Sequence, residues 1–139
     1  MNLEFHLRLA GALQIALAAA HLPFPQWFNW RAELARLSLL NRQIFIVHTL
    51  FIVLILILFG ALSLSAPAAL LEPAQLAPFV CAGLAVFWLA RLCAQLLVYD
   101  RRLWIGHRGR TAIHFAVTLL WIYLAATYGA ALVKHLALS

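Results

Sequence analysis

Residues 43–64 read QIFIVHTLFIVLILILFGALSL, twenty-two positions without a formal charge, among which only Gln43, His48, Thr49 and Ser63 are plainly polar. A helix packed at the surface of a soluble domain keeps a polar stripe, whereas this stretch is apolar all round. Its length matches the ~20 apolar residues that a helix needs to cross the hydrocarbon core of a bilayer. Three further stretches, residues 7–22, 76–99 and 112–132, have the same character. The expected fold is therefore all-α: a polytopic four-transmembrane-helix bundle forming one integral membrane domain over the 139 residues. Composition agrees, with 66% hydrophobic and 10% charged residues and a mean hydropathy of +0.97, far from soluble proteins. The spans leave only connectors, so the chemistry is expected within or at the bilayer. The first span is preceded by Glu4 and His6, which dilute a positive start, and closes on bulky His21-Leu22-Pro23-Phe24. That pattern fits a retained helix better than a cleaved signal peptide.

Four spans put both termini on one side. Connectors one and three then share the other side, and they carry Arg31, Arg36, Arg42, Arg101, Arg102, Arg108 and Arg110. Opposite those seven stand Arg8 and Lys134. The positive-inside rule makes the arginine-rich side cytoplasmic, with N- and C-termini periplasmic or outside and the protein in a cell inner membrane. The net charge of +6 is thereby accounted for by topology and anionic lipid headgroups. No basic and aromatic recognition pattern points to nucleic acid. Cys81 and Cys93 lie twelve residues apart in one span, about 18 Å along the axis, too far to bridge. Both read as small buried hydrophobes.

In the first connector, Pro23 to Trp30 forms a proline-stiffened aromatic turn, and residues 31–40 follow a helical period that predicts a short interfacial helix between spans one and two. The third connector, Arg101 to Arg110, contains glycine and is the candidate gate. Small residues such as Gly11, Ala12, Ala16, Gly60 and Gly83 would let helices approach closely.

The polar residues converge on the end bearing connectors one and three. Gln14 and His21 share a face of span one, and Asn41 and His48 a face of span two. Trp88, Arg91, Gln95, Tyr99 and Arg102 form a stripe on span three; Thr111, His114, Thr118, Trp121 and Tyr128 form one on span four. Lipid would leave such groups unsatisfied, so the faces turn toward one another or toward a partner. Arg91 lies eight residues inside Tyr99, about 12 Å along the helix. At that depth it requires Gln14, Asn41, backbone carbonyls or an anionic ligand group.

Two chemistries suit these side chains. His21, His48, Asp100 and His114 combine neutral nitrogen with anionic oxygen donors, a set suited to a divalent transition metal such as Zn, Fe or Cu. Two histidines with arginines for the propionates would alternatively hold a b-type haem. Arg91, Gln95, Asn41 and Tyr99 are the candidate substrate-binding residues, orienting an anionic or carbonyl group. His107 reads as solvated, and His6 and His135 as interface residues at the far end.

The size and four-span layout of the chain resemble the glutathione-using membrane family that includes leukotriene synthase and microsomal glutathione transferase. Where that family is expected to carry Asn-x-x-Glu on its second span, this chain has Asn41-Arg42-Gln43-Ile44, without the glutamate. No residue role is carried across. The leading expectation is a metal- or redox-cofactor-binding membrane protein acting on a lipid-soluble substrate such as a quinone or an acyl or isoprenoid chain. A non-enzymatic subunit or assembly factor of a larger membrane complex, or a homo-oligomer, is the alternative; a metal-free lipid- or glutathione-using enzyme is a third. The charge asymmetry carries its own test. A reporter active only in the periplasm is expected to be active when fused after Ser139 and silent when inserted between Arg102 and Arg110; the reverse pattern would overturn the orientation.

Overall fold

The computed structural model describes residues 2–137, all helix and connector, with no strand among them. The helices are α1 (Leu3–Ala20), α2 (Phe24–Trp27), α3 (Trp30–Ala35), α4 (Leu39–Ser65), α5 (Ala77–Leu97) and α6 (Arg108–Leu136), with a single 3-10 turn at Arg101–Leu103 before α6. α1, α4, α5 and α6 are each long and apolar enough to cross a membrane, so the chain is a multi-pass membrane protein of the expected all-helical, four-span class.

The boundaries shift for local reasons. α4 begins four residues before the predicted start because Ser38 caps it, its side chain accepting from the Asn41 backbone N–H. That cap takes Leu39 and Leu40 into α4, so the expected 31–40 helix is divided between α3 and α4. Asn29, left-handed at φ 49° and ψ 42°, separates α2 from α3; its short polar side chain tolerates a conformation that costs most residues. α5 stops at Leu97 and not at Tyr99, because Asp100 turns extended and its carboxylate accepts from the Arg102 N–H, capping the 3-10 turn.

The helices fall into two compact units. In the Arg8–Ala66 unit, α1 meets α4 through glycine. A Cβ on Gly11 would stand 2.7 Å from Gly60 O and 2.9 Å from Leu64 N, and one on Gly60 would meet Ile15 Cδ1 at 2.8 Å. Only hydrogen at both positions permits this approach. The Arg8 guanidinium then reaches the last turn of α4 and donates to Leu64 O at 3.0 Å, a cation against free carbonyls. Elsewhere α4 leaves most of its apolar surface uncovered by protein, including Leu50, Phe51 and Leu58, as a lipid-facing helix does.

In the other unit, α5 packs on α6 around Cys81, Leu84, Trp88, Trp121, Leu124, Tyr128 and Ala131, all buried. Its far end holds His135 and His6. His135 is buried, its Nε2–H donating to Leu70 O at 2.9 Å, where an interface role was expected. His6 pairs with Tyr123, Nδ1 to hydroxyl at 3.0 Å. Of the small residues singled out, Gly83 meets nothing within 4 Å. Gly11→Ala is accordingly expected to cost about 1–3 kcal/mol through overpacking against backbone. Gly83→Ala should be neutral or stabilising by up to about 1 kcal/mol. Thermal unfolding in detergent, followed by circular dichroism, separates the two.

Candidate functional site

The site is built on facing stripes of α5 and α6, where Gln95 sits 6% exposed between the two helices. Its Oε1 accepts from Arg91 Nη1 at 3.2 Å and, at a longer 3.4 Å, from Trp121 Nε1. Guanidinium and indole nitrogens are donors only, so both must meet the amide oxygen, and the amide cannot be the other way round. Gln95 Nε2 is therefore the atom facing His114 Nδ1, 2.8 Å away. An amide nitrogen donates and does not accept. His114 Nδ1 accordingly accepts, and the neutral ring carries its proton on Nε2.

Aromatic packing holds this chain of bonds in place. Trp88 and Trp121 stack at 5.2 Å with planes 13° apart, and Trp104 stacks on the His114 ring at 4.0 Å and 15°. The Arg91 guanidinium lies over the Trp121 ring at 4.8 Å and over Tyr99 at 5.7 Å, close enough for cation–π attraction from both. Thr118 Oγ1 donates to His114 O at 2.7 Å, and Thr111 Oγ1 to Trp104 O at 2.8 Å, which ties the third connector to α6.

The cluster has more donors than acceptors. Arg91 has five N–H groups, one of which goes to Gln95. Among the described residues no carboxylate stands within ion-pair distance of it. Trp88 is 1% exposed, and its indole N–H has no hydrogen-bond partner. His114 Nε2–H adds another. In a low-dielectric setting each unmet donor costs free energy that an incoming acceptor would recover.

Of the expected substrate-binding set, Arg91, Gln95 and Tyr99 come together, and His114, expected as a metal ligand, joins them as a hydrogen-bonding residue. Asn41 lies exposed in the first turn of α4, its backbone on Ser38. Arg91 bonds to Gln95, while Gln14, another expected partner, donates its Nε2 to Ala10 O. Asp100 accepts from Arg102 N–H at 2.8 Å, with the Arg102 side chain 3.8 Å away. His21 and His48 each donate Nδ1–H to the carbonyl four residues back, Leu17 O at 2.7 Å and Ile44 O at 2.8 Å. Among the described residues no group of three or more His, Cys, Asp or Glu side chains is gathered to hold a metal ion. His135, read as an interface residue at the far end, continues the His114, Trp121, Tyr128 heptad stripe by one step.

Comparison with protein-family models, curated proteins and solved structures gives no match to this chain. The internal chemistry yields a direct test. Gln95→Leu removes the acceptor of two donors and the donor to His114, and is expected to cost about 1–3 kcal/mol in thermal stability. It should also diminish the near-ultraviolet circular dichroism of the stacked tryptophans. An unchanged spectrum and midpoint would mean that the amide does not organise the cluster.

Proposed function

We propose that the Arg91–Gln95–His114 cluster binds the acceptor-bearing polar head of a lipid-soluble molecule, a quinone being the best fit, within an inner-membrane protein whose arginine-rich connectors face the cytoplasm. The observation that carries the reading is the surplus of donors: a guanidinium without a carboxylate and a buried indole N–H without a partner, beside planar aromatic stacks. A quinone has two carbonyl acceptors on a flat ring, and its isoprenoid tail suits a cluster carried by membrane-spanning helices. In this role Arg91 and the His114 Nε2–H donate to carbonyl oxygen, Gln95 orients both, and Trp88 with Trp121 supplies the flat apolar wall.

A metal-binding reading has one specific support. His21 and His48 hold their Nδ1–H on backbone carbonyls, as a ligating histidine is oriented by its outer partner. Zinc, iron, copper or a b-type haem would be found by metal analysis and an absorption spectrum of the purified protein, and would be lost in His21→Ala or His48→Ala.

Titration of the detergent-solubilised protein with decylubiquinone is expected to quench tryptophan fluorescence saturably. Arg91→Gln should weaken binding about tenfold or more, the range for a lost hydrogen bond to a charged group. Quenching that never saturates, or that is equal in parent and Arg91→Gln, would overturn the quinone reading.

A further inference from the structure

Nine of the ten basic residues in this chain are arginine and one, Lys134, is lysine. Membrane orientation needs only positive charge, which either side chain supplies. A planar guanidinium adds a fork of donors that matches two oxygens of one phosphate, and this is where the two residues differ.

The structure puts that chemistry beside a groove. An open cleft of about 460 Å³ lies where the third connector enters α6, lined by Gly106, His107, Arg108, Thr111, Ala112 and Phe115. Its upper lining is polar and cationic; its lower lining, Ala112 and Phe115, is apolar and lies one to two turns into the spanning helix. Arg108 makes no ion pair or hydrogen bond through its guanidinium among the described residues, and Arg101, Arg102 and Arg110 are exposed in the same short segment. Asp100, the carboxylate of this connector, is engaged by Arg102. Gly106 and Gly109 leave open space where side chains would stand. Exposed Leu103 and Ile105 complete a segment with both charged and apolar surface.

We infer that this groove is a site for an anionic phospholipid, with Arg108 and its neighbours on the phosphodiester and the start of an acyl chain along Ala112 and Phe115. The polar-to-apolar run of the lining is that of a lipid crossing from headgroup to tail. A free phosphate would use the upper part alone. The inference stands apart from the quinone reading, since no groove residue belongs to the Arg91–Gln95–His114 cluster.

Native mass spectrometry of the full chain in detergent, offered equimolar phosphatidylglycerol and phosphatidylcholine with the same acyl chains, reads the preference directly. Phosphatidylglycerol should be favoured, and Arg108→Gln should reduce that preference about fivefold, the contribution of one basic residue to an anionic lipid. Arg31→Gln, in the first connector, and Arg91→Gln, in the cluster, should leave it unchanged. Equal losses in Arg31→Gln and Arg108→Gln would reduce the effect to diffuse charge and overturn the site. Displacement of the lipid by millimolar inorganic phosphate would make it a free-phosphate site and overturn the lipid assignment, as would equal binding of the two lipids.

Discussion

The Gln95 side chain has one oxygen and one nitrogen to share among Arg91, Trp121 and His114, and the polar arrangement of the α5–α6 pair follows from how they are shared. Two obligate donors claim the oxygen, which turns the nitrogen to the imidazole and fixes its tautomer. Placed elsewhere, the same three groups would be a cation, an indole and an imidazole each needing its own partner in an apolar medium. Gathered on one amide, they satisfy part of their demand and leave a defined remainder. That remainder consists of donors, and it is what an acceptor-bearing ligand would meet.

The stacks give this arrangement its rigidity. Trp88 on Trp121 and Trp104 on His114 are near-parallel pairs, and Arg91 rests across Trp121 and Tyr99. The flat faces cover the Arg91 guanidinium and the His114 imidazole and restrict their rotation. Trp104 belongs to the connector and not to a spanning helix, and Thr111 holds its carbonyl. The imidazole is thus covered by a segment that also borders the arginine-lined groove.

The α1–α4 contact is solved differently. Gly11 and Gly60 bring backbone against backbone, where dispersion and close approach replace side-chain packing. Such a contact tolerates no added atom. Apart from Arg8, which donates to Leu64 O across the contact, the polar groups here bond locally: His21, His48, Thr49 and Ser65 each bond to the carbonyl four residues back. Self-satisfaction is the least demanding way to keep a polar residue on a membrane helix, and it contrasts with the interhelical network on α5 and α6.

The number and kind of spans were legible in the sequence because a chain that is two-thirds apolar has few alternatives: in lipid the backbone must satisfy its own hydrogen bonds, which makes each long apolar run a helix. Periodicity likewise put Arg91, Gln95 and Tyr99 on one stripe and His114 and Trp121 on another, since residues three and four apart share a helix face. The cap at Ser38 and the heptad step to His135 were also present as local signals. What period cannot express is the rotation and separation of one helix against the next. Whether Gly11 meets Gly60 while Gly83 meets nothing, whether Gln95 meets His114 and Trp121, and which imidazole nitrogen of His114 carries the proton depend on distances of a few tenths of an ångström between residues far apart in the chain. Those were decided by tertiary packing, because a hydrogen bond or a backbone contact is made or lost over a range far finer than the spacing of residues along a helix.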